Sequence, residues 1–392
     1  MARILIVSKC PTHPTIEGNR RFIINQVELF KQMGHEIYYL YIEEKPLFPT
    51  NKNEENNILP MQNYWRRNLF HYKVKSITKL KFNIVSKIRS VIYHGYEYCD
   101  DEYPIGLTSY VKRLNEQYKF DCCLVNYYIL SKLLTNINIP LKGLVTHDYF
   151  SFKNLLVGEK KTWMGTSANQ EAKALQRCPH IFALNSEEGI FFSKLSPKSI
   201  IYNVFSIYKY YKCSVIGNSD ILFLSGYNQF NINGLNWFLS EIFPTIIEHF
   251  PYTKLKIGGG ICERIKYLQN NPNIEIVGYV DDAKSFYANA DVIINPTYQG
   301  TGLKIKTFEG ISYDKVVLAH PHSLIGIYDN EKAPIFSSDV PKEWVSFLGK
   351  IWNKKTGINE IINIKKKNEL YLHEMSKYIV SQYQKFFSYL LM

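Results

Sequence analysis

The sequence predicts an α/β protein made of two successive Rossmann-like units, each a parallel, doubly wound sheet. Two observations predict it. Short β-branched runs alternate with amphipathic stretches at βαβ spacing. That alternation stops at "SIYKYYKCSVIGNS", around residues 205–219, and then restarts. A chain of 392 residues agrees, because single cores rarely grow that large and 46% hydrophobic residues can fill two.

Taken in order, Arg3 to Ser8 is a short buried strand, "NQVELFKQMG" an amphipathic helix and "HEIYYLYI" a second strand. Further strands fit "DCCLVNY" (121–127), "LKGLVTH" (141–147) and "HIFALN" (180–185). After the break come strand "DILFLSG", helix "LNWFLSEIFPTIIEHF", strands "KLKIGG" and "IEIVGY", helix "DDAKSFYANA", and strands "DVIINP" and "KVVLAH". The boundaries follow: an N-terminal domain over 1–205 with a basic insertion at about 45–118, a C-terminal domain over 206–372, and a C-terminal helix over 373–392 returning to the N-terminal domain. A ligand is expected in the crevice between the domains, beyond the carboxyl ends of the strands.

Composition narrows the partners less. The formal charge of +12 admits nucleic acid, an anionic membrane or phosphate-bearing molecules, and coding bias toward Lys, Asn, Ile and Tyr would produce it equally well. No recognisable nucleic-acid motif accompanies the charge. Seven cysteines, with Cys122 and Cys123 adjacent, show neither a disulfide framework nor metal-ligand spacing, which points to a reducing cytosol. No Asp-x-Asp or His cluster argues for a metal, and Asp281 with Asp282 reads as helix capping. The N-terminal apolar run is far too short for a signal peptide or a membrane span.

Between Glu55 and Glu97 there is no acidic residue, while Arg66, Arg67, Lys73, Lys75, Lys79, Lys81, Lys87 and Arg89 are interleaved with Ile77, Leu80, Ile84, Val85, Ile88, Val91 and Ile92. Much of this reads as a basic amphipathic helix. It is either a solvated surface helix or a dock for an anionic membrane or acceptor.

Three glycine-containing loops follow strands and open helices, the arrangement that offers backbone amides to an anion. "HPTIEGNRR" carries Gly18, with Arg20 and Arg21 in a first turn where the helix dipole disfavours cations unless an anion is near. "SGYNQFNING" carries Gly226 and Gly234, and no Lys or Arg occurs from Cys213 to Thr253. "GTGLKIKTFEG" sets Gly300, Thr301 and Gly302 before a helix beginning near Leu303, with Lys304 and Lys306 in its first turn and Glu309 three residues beyond Lys306. Lys306 and Glu309 form either a surface ion pair or a grip on a diphosphate and a ribose diol. The "GGG" at 258–260 reads as a tight turn. His147, after an apolar strand, is either a satisfied histidine partnered by Asp148 or a site residue.

The segments "PTHPTIEGNRRFIINQVELFKQMGHEI", "THDYFSFKN", "KALQRCPHIFALNSEE", "GYNQFNINGLNWFLSEIFP" and "NIEIVGYVDDAKSFYANADVIINPTYQGTGLKIKTFEGISYDKVV" together resemble a family-4-type retaining glycosyltransferase of the GT-B fold. The resemblance touches both halves and omits roughly residues 45–118. It implies two Rossmann-like domains facing each other across a cleft. It also implies transfer of a hexose from a UDP- or GDP-linked donor to a glycan or lipid-linked acceptor, without a permanently bound cofactor or a metal.

It implies roles as well. Glu309 matches the ribose-binding glutamate of the family's pair, and His147 a histidine near the donor sugar. Gly302 and Leu303 match the loop whose amides face the donor phosphates, and Lys306 matches a frequent lysine. Gly18 lies where acceptor and donor meet, and Tyr279 or Val280 would lie against the base. The pattern departs at Thr301, which stands where the pair's first glutamate would be. The Arg and Lys expected after the second domain's first strand are missing, which shifts the diphosphate's positive charge onto Lys304, Lys306 or an N-terminal arginine such as Arg20. Asp314 and Val316 replace the usual Gly and Pro. The last two read as structural drift, whereas Thr301 and the missing cations keep a second reading open, a catalytically inactive GT-B binding or regulatory subunit. The implied setting is cytoplasmic, peripheral at the inner face of the membrane, with no nucleic-acid partner.

Overall fold

A computed structural model describes residues 1–15, 18–44, 58–75, 77–78, 80, 84–85, 87–88, 98–157, 165–302 and 305–391. The chain divides into two units, Met1–Ile207 with Ile379–Met392, and Tyr208–Tyr378.

Among the described residues the first unit holds a seven-stranded sheet of β1 (Arg3–Ser8), β2 (Glu36–Glu43), β3 (Leu69–Lys73), β4 (Cys122–Asn126), β5 (Leu141–Val145), β6 (His180–Ala183) and β7 (Ile200–Asn203). Its order is β3-β2-β1-β4-β5-β6-β7, with every pair parallel. Ile4, Leu5, Ile6 and Val7 are fully buried, as a central strand covered on both faces requires. The helix Gly18–Gln32 turns Phe22, Ile23, Val27 and Phe30 to the core. The end of the long helix Gly357–Phe387 belongs to this unit: Tyr383 packs against Phe30 and Phe182, and its hydroxyl accepts a 2.8 Å bond from Gln26 Nε2. That helix begins well before the residue 373 expected from the sequence.

The edge strand β3 falls inside the stretch read as a basic insertion. Its alternation, Phe70 and Tyr72 buried with His71 and Lys73 facing outward, is hidden in the sequence by the surrounding cations. The described residues after it, 77–78, 80, 84–85 and 87–88, are helical. Ile77, Leu80, Ile84 and Ile88 are 52–62% exposed there. Lys79, Lys81 and Arg89 lie outside the described residues.

The second unit is a parallel sheet of β8 (Ile221–Leu224), β9 (Leu255–Gly258), β10 (Ile274–Gly278), β11 (Val292–Asn295), β12 (Val316–Ala319) and β13 (Ile335–Ser337), in the order β10-β9-β8-β11-β12-β13. Its core gathers Phe223, Leu235, Phe238, Ile257 and Trp344. The predicted single helix "LNWFLSEIFPTIIEHF" contains a π-turn at Phe238–Ile242. Pro244 lacks an N–H and crowds the carbonyl one turn back, and a widened turn accommodates both. The unperiodic linker is held by acceptors rather than by a regular element: Asp291 accepts the amides of Ile216 and Gly217, and the buried Lys365 ammonium lies 3.3 Å from that carboxylate.

Candidate functional site

In the second unit the strand order reverses between β8 and β11, so the loops leaving these neighbours diverge and open a crevice at their carboxyl ends. The loop after β11 runs through Gly300 (φ 114°) and Gly302 (φ 80°), a left-handed backbone that side-chain-bearing residues seldom adopt. At Gly300 a Cβ would also sit 3.3 Å from the Phe230 ring. His322 Nε2 donates to the Gly300 carbonyl at 2.9 Å and fixes the loop from behind. Thr301 is half-buried; Leu303 and Lys304 lie outside the described residues.

The helix that follows is Ile305–Ser312. It is pressed onto the sheet so closely that a Cβ on Gly310 would fall 2.4 Å from Ile293 Cδ1, and Asn295 Nδ2 donates to Thr307 Oγ1 at 2.9 Å. Glu309 is thereby held at 9% exposure. Lys306 Nζ donates to Asn231 Oδ1 at 2.6 Å, while Asn231 Nδ2 donates to the Gly226 carbonyl at 2.8 Å. The Asn231 contact, to a neutral amide, orients the ammonium toward the β8 loop. A cation in the first turn opposes the helix dipole, and an anion in the crevice would relieve that conflict.

The β8 loop ends at Asn228, the N-cap of the helix Gln229–Trp237, and Gly226 borders open space. Gly234 is not part of the loop. It sits inside that helix, where a Cβ would meet the Pro296 carbonyl at 2.9 Å, so it brings the helix against the loop after β11. Beyond β10, Tyr279 is 73% exposed beside the left-handed Gly278. Val280 is half-buried, near Gly258.

In the first unit His147 has φ 69°, its ring stacks on Tyr127 at 4.3 Å, and its Nε2 is 2.6 Å from Asn126 Oδ1. Because Asn126 Nδ2 points to the Val7 carbonyl, Oδ1 faces the histidine, and Nε2 carries the proton. Burial holds the His147 pKa down at about 3, which keeps the imidazole neutral with Nδ1 as an acceptor. Asp148 is not its partner: that carboxylate takes the Tyr149 amide and Lys153. Gly18 opens the first helix, and Arg20, almost buried, donates from Nη1 to the Pro14 carbonyl, as Arg21 Nε does to Thr15. These arginines meet carbonyls of the preceding loop.

Residues 218–354 match the family described as glycosyl transferases group 1. Gly226, Tyr279, Val280, Thr301, Gly302, Lys306 and Glu309 fall within the matched residues; Gly18, Arg20 and His147 precede them. An uncharacterised 44.6 kDa protein in the cps region of Klebsiella pneumoniae is 23% identical over 332 residues, covering 79% of this chain and 81% of its own.

Among solved structures, sucrose-phosphate synthase of Thermosynechococcus elongatus superposes with a TM-score of 0.67 at 12% identity, covering 100% of this chain and 99% of the other. Anabaena Alr3699/HepE, solved with UDP and glucose, superposes with a TM-score of 0.64 at 10% identity, covering 99% of this chain and 100% of the other. TarM does so at 0.66 and 11%, covering 100% and 99%. The chain therefore has the α/β GT-B fold, two parallel-sheet Rossmann-like domains.

The sequence reading missed Asn231, His322 and Asn126. Each is joined to its site residue by a hydrogen bond spanning 21 to 75 residues of sequence, and only Asn231 sits in a glycine-containing loop motif. Among the described residues, no helix is long and apolar enough to cross a membrane.

Proposed function

We propose that the protein transfers a hexose from a UDP- or GDP-linked donor to a glycan or lipid-linked saccharide, with retention at the anomeric carbon. The observation that carries this reading is the Lys306–Asn231–Gly226 connection at the strand-order reversal, beside the left-handed Gly300–Gly302 loop and the buried Glu309. Glycosyl transfer builds oxocarbenium character on the sugar while the nucleoside diphosphate leaves with growing negative charge. The ammonium of Lys306 and the amides of the glycine loop would stabilise that leaving group, and they are pre-aimed, so little reorganisation is needed. Glu309 takes the ribose diol, and His147 remains the candidate for sugar hydroxyls. Tyr279 and Val280 take the base, Gly18 lies where acceptor and donor meet, and Arg20 is a further cation for the diphosphate.

The UDP complex of HepE supports the donor class, and the cps-region relative supports polysaccharide building as the setting. The exposed Ile77, Leu80, Ile84 and Ile88 beside Lys87 support peripheral contact with an anionic, cytoplasm-facing membrane rather than nucleic acid. The positive charge comes from the protein in this reading, so turnover should survive chelation of divalent metals. Thr301 favours the second reading, a GT-B subunit that binds donor without turning it over. Free nucleoside diphosphate released by the wild type and lost in Glu309→Ala, with unfolding unchanged, separates the two. Equal release by Glu309→Ala would sink the role of this carboxylate.

A further inference from the structure

The loop after β8 brings no cation of its own, since no Lys or Arg occurs between Cys213 and Thr253. The fold carries one in from the next crossover. After β9 the chain turns through Gly259 (φ 93°) so tightly against this loop that a Cβ would lie 2.4 Å from the Ser225 carbonyl. Gly259 N donates to Gly278 at 2.8 Å and Ile261 N to Ser225 at 3.2 Å, which locks the loops after β8, β9 and β10 together. The turn continues as Gly260–Arg264, and the Arg264 guanidinium lies over the Tyr227 ring, 4.8 Å from its centre.

Both residues are exposed, Tyr227 at 53%, and Arg264 has no ion pair or hydrogen bond among the described residues. Stacking on a ring orders a guanidinium through its face and leaves its N–H edge available to an anion. The same loop is tied through Gly226 and Asn231 to Lys306. One loop is thus linked to two cations, Lys306 through Asn231 and Gly226, and Arg264 through the Tyr227 ring.

We infer that Arg264, ordered on Tyr227, binds the donor diphosphate together with Lys306 and takes the place of the cation missing from the β8 loop. This rests on the nucleotide-sugar reading above. The phosphate oxygens meet a planar, bidentate donor on one side and a point charge on the other.

The test is calorimetry on the full chain with UDP against uridine and GDP against guanosine. The wild type should bind one diphosphate more tightly than its nucleoside. Arg264→Gln should weaken that diphosphate at least about tenfold, the scale of one charged hydrogen bond, and leave the nucleoside unchanged. Arg264→Lys should restore part of the loss. Tyr227→Leu, which removes the platform but keeps the charge, should lose less than Arg264→Gln. An Arg264→Gln protein that binds the diphosphate like wild type overturns the inference and leaves the proposed function standing. Equal losses for diphosphate and nucleoside also overturn it, because the contact would then be to the nucleoside. A wild type that binds neither diphosphate overturns the proposed function and the inference with it. Arg264 is exposed, so an unchanged thermal midpoint certifies each variant's fold.

Discussion

Lys306 Nζ and Asn231 Oδ1, 75 residues apart in sequence, lie 2.6 Å apart and join the helix after β11 to the helix after β8. The pair turns a cation at an unfavourable helix position into an aimed one. Lys306→Met should therefore lower kcat with the donor by about 10²–10³-fold, the scale of losing one charge aimed at a leaving group. Asn231→Ala keeps the charge and loses its aim, so its effect should be smaller. Steady-state kinetics of both variants, with free nucleoside diphosphate as the readout, checks the ranking; equal effects would contradict it.

Gly300 has both a left-handed backbone and the Phe230 ring against its missing side chain. Gly300→Ala should cost about 1–3 kcal/mol of stability and weaken nucleotide binding, since the loop amides would shift. Chemical denaturation and UDP or GDP titration on the same preparation measure the two effects. Gly217, also left-handed but with nothing within 4 Å, is the control in which Ala should disturb stability without touching nucleotide affinity.

His147 and Glu171 should give opposite pH dependences. The folded His147 has its pKa lowered to about 3 by burial, so the unfolded chain binds the extra proton below its ordinary 6.5; stability from this group rises with pH between about 3 and 6.5. Glu171 accepts the Phe150 and Ser151 amides and caps the helix that follows His147, yet burial outweighs those donors and pushes its pKa up to about 7. Its folded form holds a proton the unfolded form releases, so stability from this group falls as pH rises from 4.5 to about 7. Thermal midpoints from pH 4 to 8 should lose the rising contribution in His147→Gln and the falling one in Glu171→Gln. A wild-type slope unchanged by either substitution would contradict the assignment.

A neutral imidazole also predicts catalysis without a histidine titration. The activity profile of the wild type should show no step near pH 6.5 that disappears in His147→Gln, because the ring works as a fixed donor and acceptor. A step that vanishes with the histidine would contradict the neutral tautomer.

Both sheets were legible in sequence because parallel strands buried on both faces read as unbroken apolar runs, as in "RILIVS" and "DVIIN". Strands β3, β7 and β13 escaped, all at sheet edges; β3 buries one face only, and its Phe70 and Tyr72 sit among cations. The glycine loop and its helix were legible because Gly300 and Gly302 free the backbone and lysines rarely open a helix. Gly234 was misread as loop because a glycine demanded by helix packing looks in sequence like one demanded by a turn. The partners of Lys306 and His147 were not legible at all. Asn231 and Asn126 are brought to them by strand order, and a neutral amide carries no periodic or charge signal.

Whether the second unit's glycine loop and Lys306 hold a donor diphosphate is decided by incubating a panel of UDP- and GDP-sugars with wild type and Lys306→Met. The wild type should release nucleoside diphosphate from one donor, and the variant should do so at least about a hundredfold more slowly. Release by Lys306→Met at the wild-type rate, or no release and no binding by the wild type for any donor, would contradict it.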